Sequence, residues 1–263
     1  MSNQDDNQPY TPYAPPTANV EHSRAIEGNF IPGGRPVLAG SGIEWISSSW
    51  NLFKQQPGLW ILFIIAYVFM QIALGFIPIL GQVILMFAAY LIVAGVIYSC
   101  SQIEQKGSFV FGDLFIAFSR QTGSLLMIPL FSFVLAIALL IIPGILIGLG
   151  FAALAVLNST VLGYGLIFVG GVIAIIGMAV VSMALWFTPA LVLMHDLSTL
   201  DAMKMSFSGC RQNILPGIVF FIMLSILMLL SMIPLGLGLL ITIPMFFICY
   251  YTTYRNVFFD TNT

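Results

Sequence analysis

The sequence predicts an all-α polytopic membrane bundle of about six transmembrane helices in three hairpins, each preceded by a short interfacial amphipathic helix. Three observations carry this expectation. Only 7% of the 263 residues are charged and 59% are hydrophobic, whereas a water-soluble chain carries about 25% charged residues. The charges fall in short intervals, so that Gln55–Ile103, Gln121–Met194 and Gln212–Tyr254 contain none. A bilayer core of about 30 Å is crossed by roughly 20 helical residues, so each uncharged segment has room for two spans.

The chain begins "MSNQDDNQPYTPYAPPTANV", without the basic start and apolar core of a cleavable signal peptide. The first hydrophobic span is therefore expected to direct insertion. Residues 1–40 are expected to form a disordered, proline-rich cytoplasmic tail. They carry too little apolar surface to offset ordering entropy, and Pro9, Pro12, Pro15 and Pro16 favour extended polyproline-like conformations. The functional alternative is a docking motif for a proline-reading module, although no specific PxxP-type signal is present. Residues 41–257 form the expected helical transmembrane domain, and 258–263 a short cytoplasmic tail.

The first interfacial helix is expected in "SGIEWISSSWNLFKQQP", where Ser41 and Glu44 have capping-box spacing and Ile46, Trp50 and Phe53 recur at helical intervals. A membrane hairpin follows, "PGLWILFIIAYVFMQIALGFI" running to Pro78 and "GQVILMFAAYLIVAGVIYSC" returning. The second amphipathic stretch, "GDLFIAFSRQTG", places Leu114, Ala117 and Phe118 on one face. The middle uncharged segment is longer than two spans require. The surplus goes into an extended third helix and an uncharged connection around "LNSTVLGYG", residues 157–165, with a re-entrant piece over 143–165 as the alternative. The third amphipathic stretch, "STLDAMKMSFSGCRQNILP", has cap spacing at Ser198 and Asp201 and a stripe of Leu200, Met203, Phe207, Cys210 and Ile214. The last hairpin turns at Pro234, and Pro244 is expected to kink its second helix.

Phe53 and Pro78 are as far apart in sequence as Phe118 and Pro143, and the expected turns read "IPILG", "IPGILIG" and "IPLG". Three divergent copies of interfacial helix plus hairpin explain this, as does the general likeness of membrane hairpins. Six spans put every Lys and Arg (Arg24, Arg35, Lys54, Lys106, Arg120, Lys204, Arg211, Arg255) on one side, whereas seven would move Lys204 and Arg211 across. The positive-inside rule thus favours both termini in the cytoplasm. All acidic residues share that side, which excludes a large charged domain on the other.

These pieces together resemble a family of bacterial multi-pass inner-membrane proteins with no established activity. The resemblance lies in "EWISSSWNLFKQQPGLWILF", "IPILGQ" and "FTPALVLMHDLSTLDAMKMSFSGCRQN", spread from about Gly42 to Arg255, with "PYAPPTANV" similar to the variable tail. It implies a helical bundle in the bacterial inner (plasma) membrane and brings no catalytic residues with it.

The candidate functional residues are His195, Asp196, Lys204 and Arg211. His195 and Asp196 form the "HD" pair of metal phosphohydrolases, but the one other histidine is His22, too few ligands for such a centre. No cofactor or metal is expected. The reading favoured by spacing is a capped interfacial helix, with Asp196, Ser198 and Asp201 at its start and Lys204 and Arg211 towards its end, where they reach lipid phosphates. His195 as a pH-sensitive gate is the alternative. "TVLGYG" is similar to a potassium-filter sequence, but Leu162 interrupts it. Gly144 and Gly148, with Gly170 and Ala174, have the small-xxx-small spacing of close helix packing, within the bundle or between copies. Cys100, Cys210 and Cys249 are expected near the cytoplasmic face and reduced.

No charged residue falls inside a span, which disfavours ion-coupled transport, and no nucleophile with a base or pair of carboxylates points to an enzyme. The net charge of −2 excludes a nucleic-acid-binding reading. The expected function is to organise membrane lipids or partner proteins, with a homo-oligomer as a possible form. The alternative is passive passage of a small neutral or lipid-like substrate.

Overall fold

The computed structural model describes residues 28–260. The proline-rich stretch with Pro9, Pro12, Pro15 and Pro16, along with His22 and residues 261–263, lies outside them. A short strand β1 (Asn29–Phe30) leads into α1 (Ser41–Phe53), α2 (Pro57–Gly75) and α3 (Leu80–Lys106). A 3-10 helix (Phe111–Phe118) precedes α4 (Thr122–Ala155), α5 (Thr160–Leu185) and α6 (Thr188–His195). The chain finishes with α7 (Thr199–Gln212), α8 (Ile214–Met232), α9 (Leu239–Phe258) and β2 (Phe259–Asp260). The architecture is therefore all-α apart from the two-residue strands.

Among the described residues five helical stretches are long and apolar enough to cross a membrane: α2, α3, α4, α5 together with α6, and α8. The remaining long helix, α9, is apolar only up to Cys249. Its second half, "YYTTYRNVF", is polar and aromatic, and most of it is buried.

The amphipathic segments do not pack on the hairpins they precede. The 3-10 helix lies on α3, α7 lies on α5 and α6, and α1, with no hairpin before it, lies on α8 and α9. Each segment thus joins its own hairpin to the one before, and α1 closes the ring. Two of these contacts are backbone against helix. Gly95 of α3 abuts the Leu114 carbonyl, and a side chain on Gly42 of α1 would come within 2.7 Å of the Phe220 nitrogen of α8.

The packed core lies where the charged residues are. Leu91–Ile97 of α3, Thr188–Leu193 of α6 and the second half of α9 are buried, whereas the outer parts of α2, α4, α5 and α8 expose large apolar side chains. The turns at the far ends contain no ionisable residue. Each includes a non-glycine residue in the left-handed region, Ile79, Asn158 and Leu235.

Several expectations change. Pro143 does not mark a turn. It lies inside α4, a single helix of 34 residues, about 51 Å long at a rise of ~1.5 Å per residue. Residues 143–155 therefore extend the third long helix, and the chain reverses at Val156–Ser159. The matching Phe–Pro spacings thus do not mark equivalent turns. Ser41 does not cap α1. The helix starts through backbone bonds from Ser41 to Leu38 and from Ile43 to Gly40, and its N-cap, Gly40, has no side chain.

Residues 28–40, expected within the tail, lie against the C-terminal end. Phe30 pairs with Phe259 in the β1–β2 ladder, Arg35 N donates to Val257 O, and Val37 N donates to Asn213 Oδ1. The amide of Asn213 returns a bond to Arg35 O, so one buried side chain fixes this strap on both strands of its hydrogen bonding. Phe258 and Phe259, expected in the final tail, are buried under it.

Candidate functional site

The four sequence-predicted residues separate into two environments. His195 ends α6 and is enclosed by aromatic rings: its Nε2 shares a 2.6 Å hydrogen bond with the Tyr254 hydroxyl, and its ring stacks on Phe30 at 3.7 Å. It anchors the N-terminal strap to α9. Asp196 caps the C-terminus of α6 in the left-handed region, where it accepts from Gln121 Nε2 at 2.7 Å and lies 3.9 Å from Arg120. It thus joins α6 to the start of α4 and stands outside the next helix. Ser198 caps α7 as its spacing predicted, accepting from Asp201 N and donating to Asp201 Oδ2. Lys204 is exposed beside Asp201 and Arg211 is exposed near the end of α7.

The buried ionic group is one that local spacing does not reveal. Arg255 of α9 reaches Glu104 of α3 through two nitrogens, at 2.9 and 3.2 Å, while Tyr251 donates to the same carboxylate. The Arg255 guanidinium also lies 4.3 Å from the Phe259 ring centre. The Arg255 side chain is 10% exposed and that of Glu104 36%, so removing the carboxylate would leave a poorly hydrated guanidinium, whereas the carboxylate itself reaches solvent. The pair sits at the helix ends, beyond the uncharged segments, and so serves to fasten the first hairpin to the last.

At the junction of α5 and α6 the helix is broken by a side chain from α7. Pro189 cannot donate a backbone hydrogen bond and crowds the carbonyl four residues earlier. Two residues before it, Phe187 N would normally bond to Met183 O. Instead Phe187 N donates to Ser206 Oγ at 3.0 Å, and Ser206 Oγ donates to Met183 O at 2.8 Å. The hydroxyl is inserted into the helical ladder and satisfies both groups, a recognised cause of helix kinks. Trp186 emerges at this break, stacked on Tyr250 at 4.3 Å with its indole N–H donating to Thr253 Oγ1.

Trp186 divides two apolar clefts. One, of about 270 Å³, lies between α5, α7 and α8, where Trp45, Met183, Asn213, Gly217 and Phe221 form its walls. The other, of about 540 Å³, opens on the opposite side, where Tyr90, Val93, Pro189 and Tyr250 meet. Trp186, Ser182 and Phe221 border both. These volumes are about those of small-molecule sites, and the walls are chiefly hydrocarbon and aromatic. Cys210 borders the smaller cleft. Burial pushes its thiol up to about 12, partly offset by hydrogen bonding to Ser206, so it is a poor nucleophile at neutral pH.

The expected glycine packing also changes partners. Gly144 and Gly148 have open space where a side chain would go. The α4–α5 contact instead uses Gly150 with Gly163, and Gly170 and Gly177 against Pro143, Ile147 and Leu139. On α5 the glycines recur every seventh residue, at 163, 170 and 177, and Ala184 continues the series. "TVLGYG" forms the first turn and a half of this helix. Its backbone is committed to helical hydrogen bonding and presents no row of carbonyls.

Among the described residues no group of three or more His, Cys, Asp or Glu side chains is placed to hold a metal ion. Cys100, Cys210 and Cys249 are free thiols, with Cys249 Sγ 3.1 Å from Ser49 Oγ in the α1–α9 contact. No protein-family model, curated protein or solved structure matches the chain.

Proposed function

We propose that the chain is a multi-pass protein of the bacterial inner membrane that organises lipids around three hairpins, without bond-making chemistry. The observation that carries this reading is the contrast between a packed base and apolar helices whose outer parts expose large side chains. Base contacts hold the hairpins together, while the inner ends of α5 and α8 leave clefts with chiefly apolar walls on either side of Trp186. Association between helices in lipid gains little from apolar burial alone. Lipid chains therefore compete well for such clefts.

In this reading α9 is the sixth span. Its 20 residues cover about 30 Å, and it returns beside α8. The basic residues at the base then lie in the cytoplasm with both termini, in line with the positive-inside rule. The primary partners are membrane lipids. A second copy, or another membrane protein, could use the open face at Gly144 and Gly148 of α4.

Electron spin resonance of spin-labelled phospholipid in vesicles containing the protein tests the reading. The motionally restricted lipid per protein should exceed the number that fits around a closed six-helix bundle of the same length. A count equal to that perimeter would sink it. The alternative, passive passage of a small neutral or lipid-like substrate, draws on Trp186 bordering both clefts. It predicts solute or lipid flux that increases in Trp186→Ala.

A further inference from the structure

We infer that the smaller cleft is a glycerophospholipid site, holding one acyl chain beside Trp186 and the lipid phosphate at Arg211. This deepens the lipid-organising reading and rests on it. The cleft lies between helices long and apolar enough to span a membrane, α5 and α8, and its walls are Trp186, Met183, Ile218 and Phe221. An aqueous solute gains nothing from such walls, whereas a hydrocarbon chain exchanges one apolar environment for another with closer contact.

The cleft runs to the charged base through Cys210, Asn213 and Ile214. Asn213 is already occupied: its oxygen accepts from Val37 N and its nitrogen donates to Arg35 O and Gly209 O. Arg211 does not line the cleft but follows Cys210 directly in the chain and is exposed at this end, which makes it the cation available to a headgroup at the mouth. Among the described residues its guanidinium makes no ion pair, whereas Lys204, the other cation of α7, lies beside Asp201. A planar guanidinium matches phosphate geometry through paired N–H donors. Charge at one end and hydrocarbon along the rest fit a phospholipid and not a free phosphate or a neutral diglyceride.

Gly217 supplies a direct test, because it borders the cleft and a side chain added there meets nothing within 4 Å. Leucine at this position would fill lipid space without displacing protein. The full chain is reconstituted in vesicles of digalactosyldiacylglycerol, a bilayer lipid without phosphate, with small amounts of phosphatidylglycerol or diacylglycerol carrying brominated acyl chains, and tryptophan quenching is followed. Wild-type protein should be quenched saturably, with half-quenching at about tenfold less phosphatidylglycerol than diacylglycerol. Trp186→Phe should remove most of the saturable signal. Arg211→Gln should abolish the difference between the two lipids while leaving helicity unchanged, and Gly217→Leu should abolish saturation for both. Ile218→Phe, on the exposed part of the same wall, provides a second filling variant without adding a tryptophan if Gly217→Leu does not fold.

Equal half-quenching by the two lipids in wild type, or full quenching in a folded cleft-filling variant, overturns the site. Restricted lipid that persists by spin resonance in that case leaves the broader lipid-organising reading standing. Loss of the excess restricted lipid in wild type removes both.

Discussion

The base of the molecule and the outer halves of its hairpins draw on the same apolar residues, yet one is packed and the other open. The difference lies in what accompanies those residues. The base combines them with small groups that admit backbone contact, such as Gly42 and Gly95, and with polar side chains that find distant partners: Ser206, Asn213, Glu104 and Arg255. The outer halves expose large aliphatic and aromatic side chains. Hydrophobicity alone selects the membrane. Close packing within it requires shape complementarity and hydrogen bonds.

The largest expected loss is at the base. Glu104→Gln removes the carboxylate charge that faces the Arg255 guanidinium, whose side chain is 10% exposed, and taking the counter-charge from a buried cation costs about 3 kcal/mol. Thermal unfolding in nanodiscs should fall sharply. An unchanged transition would mean that the pair is hydrated and holds nothing. Next comes thiol reactivity. Cys210, with its thiol near 12, should alkylate on the order of a hundredfold more slowly at pH 8 than a cysteine placed by Asn158→Cys at the α4–α5 turn, lower thiolate content outweighing higher intrinsic nucleophilicity. The rate at Cys210 should keep rising as pH approaches 12, while that at position 158 levels off above about pH 9. Peptide mapping after timed iodoacetamide labelling separates the two, and parallel rates would contradict the burial of Cys210.

Much of this organisation was legible in the sequence. The uncharged segments mark the long helices, and Ser198 with Asp201 correctly marks the start of α7, because these signals depend on neighbours in the chain. The rest depends on tertiary contacts. Glu104 and Arg255 look like ordinary helix-end charges until folding brings them together. Leu200 and Trp50, placed on inward stripes by spacing, are exposed, and the buried faces run through Ala202, Ser206 and Gly209 of α7 and through Gly42, Trp45 and Ser49 of α1. Small residues face protein there because they allow close approach, and Phe53 and Met203 of the expected stripes are buried beside them. Pro143 resembled a turn because proline usually interrupts a helix, but it lies in the interior of α4. The seven-residue spacing of Gly163, Gly170 and Gly177 in α5 was present as a signal and identifies the α4 contact better than the shorter small-residue spacing.

Within the second hairpin, Gly170→Leu should cost about 1–3 kcal/mol by overpacking, since its Cβ alone would lie 2.8 Å from Ile147 and 3.0 Å from Pro143 O. Gly148→Leu, with open space at the same membrane depth, should leave the hairpin intact. Comparable losses from both would mean that the α4–α5 interface uses another face. Ser206→Ala should cost about 1 kcal/mol, because Phe187 N and Met183 O lose their shared hydroxyl and a buried polar group without a partner is penalised. Faster amide exchange at Phe187 than in wild type is its specific signature. Exchange that stays slow would show the helix reclosing across the break.

The smallest effect belongs to the outer half of α5, where Phe168 is 72% exposed. On the lipid-organising reading proposed above, its ring faces lipid in the folded protein and would also face lipid if the helices separated in the membrane. Phe168→Ala should therefore change thermal stability by less than about 0.5 kcal/mol, although the same truncation in a water-soluble core would cost about 3–5 kcal/mol. A loss on the core scale would mean that Phe168 is covered by protein, with a second copy seated on the hairpin as the occupant consistent with that result. Measuring Phe168→Ala at several protein-to-lipid ratios distinguishes the cases. A destabilisation confined to protein-rich vesicles identifies a contact between copies, and an effect that stays small at every ratio leaves lipid as the neighbour of the outer hairpin.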